Sequence, residues 1–167
     1  MASTKRMFTA SFTGKDKLVK NCQMLRTKFP DWLYEANQAT ANEIFDEARR
    51  NIKSNDSYAS GELYDSVITE VSARGLAIYV GSTSHYAPYV EFGTRPHFPP
   101  LDAIREWCRV KGIPESAAFP IAKKISERGT PAQPFLRPAF LAGKRNHLAR
   151  LRSLITQGIK GALGRAA

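Results

Sequence analysis

Residues 86–100 read Tyr-Ala-Pro-Tyr-Val-Glu-Phe-Gly-Thr-Arg-Pro-His-Phe-Pro-Pro, and this stretch restricts the chain more than any other. Pro88, Pro96, Pro99 and Pro100 each fix φ and remove an amide donor, so a central strand cannot run through it. The first half places Tyr86, Tyr89, Val90 and Phe92 around Pro88 and is expected to form a short strand at a sheet edge, ended by Gly93. The second half should run extended as a stiff arm. An arm that carries aromatic rings and His97 among prolines is shaped to present groups to something else.

Around that stretch the apolar spacing predicts a mixed α+β chain. Phe8, Ala10 and Phe12 alternate over Met7–Gly14, the pattern of a half-buried strand. Leu18, Cys22 and Leu25 recur at helical spacing over 15–28, where Phe29-Pro30 is expected to break the helix. From Asp31, the residues Leu33, Ala36, Thr40, Ile44, Ala48 and Ile52 mark one face of a long helix to about Lys53. A polar loop at 54–61 and a turn of helix at 62–66 lead to a β-hairpin. Its strands are Val67–Val71 and Leu76–Val80 around Arg74-Gly75, and the strand at Tyr86 is expected to pair next.

The remaining chain should be helical between extended pieces. Leu101, Ile104 and Trp107 or Cys108 mark a helix closed by Lys111-Gly112. Phe119, Ala122 and Ile125 mark another, ended by Gly129, with a second proline-rich extended stretch at 130–138. A last helix over 139–159 carries Phe140, Leu141, Leu148, Leu151, Leu154 and Ile155 on its apolar positions. Trp32 and Trp107 are assigned to the core. Gly93-Thr94 and Gly129-Thr130 open the two extended stretches in the same way, an echo that reads as similar local chemistry rather than a repeat. The expected organisation is a single domain over 1–157, with the proline-rich arm at 93–100, and a glycine-containing flexible tail at 158–167.

Composition narrows the function. The 167 residues suffice for one core of ordinary size. Cys22 and Cys108 share no short spacing, which suggests neither a zinc site nor a disulfide scaffold and fits a reducing compartment. No apolar run is long enough for a membrane span, and no leader pattern opens the chain. Of the net charge of +10, residues 120–167 hold ten Lys and Arg against Glu127 alone, whereas 1–119 are nearly balanced. Such a segment either meets phosphates or an acidic protein surface, or is simply solvated.

Catalytic signatures are missing: there is no phosphate-binding glycine loop, no H-E-x-x-H and no G-x-S-x-G. Glu91 with His97, and His85 near the same arm, is the one grouping that could serve as an acid/base pair or metal ligands. The alternative for Glu91 and Arg95 is an ion pair or hydrogen bonds at the base of the arm, and for His97 a ring packed among prolines.

Gly61-x-Leu63-x-x-Ser66-Val67 after a long helix, then Val80-Gly81-Ser82, Tyr86 to Thr94, and Pro134-Phe135-Leu136-Arg137-Pro138-Ala139, in that order, resemble the small neck and tail-completion proteins of tailed bacteriophages and prophages. The resemblance implies a non-enzymatic virion protein of the head-to-tail junction, assembled in the host cytoplasm, with no cofactor and no bound metal. It implies an antiparallel sheet with a β-hairpin packed against a long N-terminal helix and further C-terminal helices. The implied partners are copies of itself in a ring, a hexamer or a dodecamer, together with connector and tail proteins and non-specific contact with DNA in the channel. Tyr86, Tyr89, Glu91, Phe92, Arg95, His97, Phe98, Phe135 and Arg137 are the expected interface residues. Lys144, Arg145, Arg150 and Arg152 are expected to face the channel or an acidic partner. The insertion Pro96–Pro100 and the helix after it depart from the family pattern. Two other classes stay open, a free nucleic-acid-binding protein and a small hydrolase using Glu91 and His97.

Overall fold

The stripe of apolar residues predicted from Asp31 onward belongs to the element on which the fold is built. In the computed structural model, which describes residues 14–55, 57 and 60–164, helix α1 spans Lys15–Ser54. It buries Ala36, Asn37, Thr40, Ala41, Ile44, Ala48 and Ile52, a spacing of three and four residues that forms one face. The strand expected at 7–13 lies outside the described residues.

Pro30 does not end the helix, contrary to the sequence expectation. It lacks the amide that would meet the carbonyl of Arg26, a loss of about 3 kcal/mol in a helix interior. Pro30 is exposed, so water can serve that carbonyl, and packing continues beyond it: Trp32 lies against Gly158 of the last helix, where any Cβ would overlap the indole. Tertiary contact outweighs local propensity here.

After α2 (Glu62–Asp65), strands β1 (Val67–Val71) and β2 (Ile78–Ser82) pair antiparallel, with Val67 opposite Ser82 and Val71 opposite Ile78. Asn37 of α1 donates to the carbonyl of Gly75 and so ties the hairpin turn to the helix. The Gly-x-Leu-x-x-Ser-Val motif now has a physical basis: Leu63, Ser66 and Val67 are all buried, and the Ser66 hydroxyl bonds that of Ser82 at 2.7 Å.

The segment expected as the next strand is instead helix α3 (Ala87–Phe92). Pro88 stands in the first turn of α3, where its missing amide would have had no helical partner and its fixed φ suits the helix. The sheet therefore has two strands among the described residues. Helices α4 (Leu101–Lys111) and α5 (Ala118–Arg128) follow the extended arm and pack on each other. Cys108 is the residue that α4 buries; Trp107, expected in the core, is 40% exposed because it sits one position round the helix, on the wall of a cleft.

Helix α6 (Leu136–Gly164) runs antiparallel along α1 and continues through Gly158 and Gly161, where the sequence suggests a loosened tail. Small residues allow the close approach, since a Cβ on Gly143 would collide with Ile44. The core joins Ile44, Ala48 and Ile52 of α1 with Leu63, Val67, Ala87, Phe135 and Ala139.

A polar clasp fixes the register of α1 on α6. Glu43 accepts from Asn146 at 2.6 Å and from Arg150 at 2.8 Å, while Arg150 also donates to the Thr40 hydroxyl at 2.6 Å. The hydrogen bond from Arg150, foremost, holds the Glu43 carboxyl below its ordinary value against the opposing effect of burial. A depressed carboxylate pKa adds stability that is complete above the unfolded value and is lost as pH falls through the folded one. Melting temperature should therefore drop on acidification below about pH 4.3, the unperturbed glutamate value, and the drop should be shallower in Glu43→Gln. Equal acid slopes in the two proteins would show that the clasp contributes nothing.

Candidate functional site

The arm region is held by one carboxylate. Glu91, buried at the end of α3, accepts amide protons from Phe135 and Leu136 through Oε2 at 2.8 and 2.9 Å, and from Arg137 through Oε1 at 2.9 Å. These amides lie at the start of α6, where a helix cannot satisfy its own donors. The first turn of α6 contains no acidic residue, so Glu91 supplies the cap and the negative charge that the helix dipole favours. Glu91 and Phe135, both expected at an interface, are thus interior parts of the subunit, and Phe135 is only 1% exposed.

The echo between the two extended stretches is a contact between them. Thr94 and Thr130 form an antiparallel bridge: the amide of Thr94 donates to the Thr130 carbonyl at 3.1 Å, and the amide of Thr130 donates to the Thr94 hydroxyl at 3.0 Å. Gln133 adds a bond from its amide to the Val90 carbonyl at 2.8 Å. Gly93 and Gly129 flank the bridge with φ of 74° and 71°, each with the other arm's backbone where a side chain would stand.

Two apolar clefts open beside this joint. The larger, 940 Å³, lies between α3 and the α4–α5 pair and is walled by Tyr89, Pro96, Trp107, Ile121, Ile125 and Pro131. The smaller, 520 Å³, is walled by Val80, His85, Pro88, Phe92, Leu136 and Phe140. Phe92 is 74% exposed and Tyr89 60%. Phe98 is exposed on the arm with its ring tilted against that of Phe119, at 6.4 Å between centroids. Tyr86 is half-buried under the cleft, and burial raises its hydroxyl pKa above the usual value. Arg95, His97 and Arg137 are exposed.

Sequence reasoning passed over Phe119, Phe140 and Trp107 as surface groups. An apolar residue at helical spacing looks the same whether its face meets the core or a cleft.

Along α6, Lys144, Arg145 and Arg152 are exposed, whereas Arg150 is engaged in the clasp with Glu43. The helix carries no Asp or Glu from Leu136 to Gly164, so the exposed cations have no acidic neighbour on their own element.

The structure does not bring Glu91 and His97 together as an acid/base pair. The Glu91 carboxylate is taken up by α6, and His97 bonds the Arg95 carbonyl through Nδ1 at 2.9 Å and lines the other cleft. Among the described residues no group of three His, Cys, Asp or Glu could hold a metal ion, and no helix is long and apolar enough to cross a membrane.

Comparison with known proteins agrees with the motifs. No curated protein and no solved structure matches the chain. Residues 16–93 match the family described as "Bacteriophage HK97-gp10, putative tail-component". The matched span runs through α1, the hairpin and α3 and stops at Gly93, so the proline arm, α4, α5 and α6 lie beyond it. Over residues 16–93 the chain fits the HK97-gp10-like family of bacteriophage tail components, a family of the kind its sequence resembles.

Proposed function

We propose that this tail component is a structural, non-catalytic protein of the head-to-tail junction, acting as a homo-oligomeric ring around the DNA channel. The observation that carries the proposal is the apolar surface the subunit leaves uncovered. Tyr89 stands exposed on the larger cleft, Phe92 and Phe140 on the smaller, and Phe98 with Phe119 beside them, a grouping of exposed rings of the kind that marks interaction surfaces. A ring buries such surface by fitting one face of the subunit to a different face of the next. The arms suit this role because prolines and the Thr94–Thr130 bridge order them before any partner arrives, which lowers the entropy lost on assembly.

Exposed Lys144, Arg145 and Arg152 then face the channel, where non-specific attraction lets DNA slide. Arg150 is left out of this set by its engagement with Glu43, although the sequence alone groups it with the others. Lys144→Glu, Arg145→Glu and Arg152→Glu together should leave the melting temperature within a few degrees of the parent, because exposed charges contribute little to folding. The same triple variant should reduce infectious particles at least tenfold in a complementation assay. Normal yield from a well-folded triple variant would remove these residues from the channel.

A further inference from the structure

The hairpin has a second exposed surface that the clefts do not use. Its register puts Val67, Thr69, Val71, Ile78 and Val80 on one side and Ile68, Glu70 and Tyr79 on the other. The second side faces outward: Ile68 is 53% and Tyr79 61% exposed, with Leu76 beside them at 69%. With two strands in the sheet among the described residues, each strand also has an edge without a neighbouring strand. An open edge beside an exposed apolar face is a template for a further strand.

We propose that this edge is filled by residues 7–12 of a neighbouring copy of the same chain. Those residues lie outside the described ones, but their sequence alternates Phe8, Ala10 and Phe12 with Met7, Thr9 and Ser11, the pattern of a strand with one apolar side. On the hairpin edge, that side would extend the face of Ile68 and Tyr79.

Chain length decides between copies. The near end of the hairpin is its turn at Gly75, which touches Tyr34. Gly14 lies twenty helical residues before Tyr34, or about 30 Å at 1.5 Å per residue. Seven extended residues back from Gly14 reach at most about 25 Å. Met7 therefore stops short of the turn of its own hairpin, and the strands lie farther still. A neighbouring copy has no such limit. Exchange of this kind also suits a ring, since the donor and acceptor surfaces differ and each copy offers both.

The proposal rests on the ring reading above, and the test separates the two. Two full-length chains, both with the exposed Cys22 changed to Ser, carry Ala10→Cys in one and either Ile68→Cys or Tyr79→Cys in the other. They are mixed and mildly oxidised, and the mass of the assembly is measured by light scattering in parallel. The expected result is a mixed disulfide dimer at one of the two edges, at least tenfold above that formed with Arg74→Cys, which lies in the hairpin turn. Phe8→Asp with Phe12→Asp should abolish it and raise the concentration needed for assembly at least tenfold. Full-size assemblies without the mixed dimer would overturn the strand exchange and leave the ring standing. Ile68→Cys or Tyr79→Cys chains linking mainly to themselves would replace the N-terminal occupant with a second hairpin. A monomer at every concentration would overturn both readings.

Discussion

Glu91→Ala is expected to lower the free energy of unfolding by about 3–5 kcal/mol, on the scale of about 1.5–3 kcal/mol for each hydrogen bond to a charged group and with some loss recovered by water. The substitution strands the amides of Phe135, Leu136 and Arg137 at the entry to α6, and it removes the negative charge from the positive end of that helix. Phe135 is one of the largest fully buried side chains, so its displacement reaches the core. Glu91→Gln separates charge from contact. Its amide oxygen can still accept two of the three protons, but its NH2 group then faces the third donor, and the loss should fall to about 2 kcal/mol. Denaturant unfolding monitored by circular dichroism reads both. A Glu91→Ala protein within 1 kcal/mol of the parent would show that the α3–α6 joint does not hold the fold.

Gly129→Ala should be comparably damaging for a different reason. At φ of 71° an added methyl group is strained, and at this position it would also overlap the Thr94 carbonyl and approach the Arg95 backbone to 2.9 Å. Backbone on both sides leaves no flexible side chain to give way. The arms must part to admit the methyl, which breaks the Thr94–Thr130 bridge, and a loss of about 3 kcal/mol or more is expected. Gly112→Ala is the control. It shares the left-handed conformation, at φ of 68°, but nothing lies within 4 Å of the added carbon, so only the smaller conformational term of about 1 kcal/mol applies. Equal losses at the two positions would mean that the approach of the arms contributes nothing.

These two joints mark where the sequence stops being readable. The α1 stripe from Ala36 to Ile52, the presence of the hairpin, though its second strand lies two residues later than expected, and the ends of α4 and α5 at Gly112 and Gly129 follow from periodicity and from glycine, which are local signals. The α3 segment misleads because Tyr, Val and Phe favour strands. What decides its form is Pro88 in a first turn and the 45-residue reach of Glu91 to the amides of α6. One trace of that partnership was visible, since α6 opens with Pro134-Phe135-Leu136 and lacks any acidic or Ser, Thr, Asp or Asn cap of its own. The Gly-Thr echo was visible too, but that two similar stretches pair with each other is a fact of tertiary placement. Pro30 is the reverse case, a strong local signal overruled by Trp32 packing on Gly158.

The candidate surfaces divide in the same way. Exposure of Phe98 follows from a ring set among prolines on an extended arm, whereas Tyr89 and Phe92 stand exposed on a short helix where the sequence suggests a strand. Exposure of Trp107 and Phe119 is not legible in the same way, because each stands on an amphipathic helix directly beside a buried residue, Cys108 on α4 and Ala118 on α5. Arg150 was indistinguishable from Lys144, Arg145 and Arg152 until α6 lay beside α1 and brought Glu43 within 2.8 Å.

Electron microscopy of lysates from a phage deleted for this chain tests most directly where the protein acts. A junction role predicts DNA-filled heads and full-length tails that remain separate, and that join when the purified protein is added back. Joined, infectious particles at the parental frequency would contradict it, as would lysates in which tails fail to form at all.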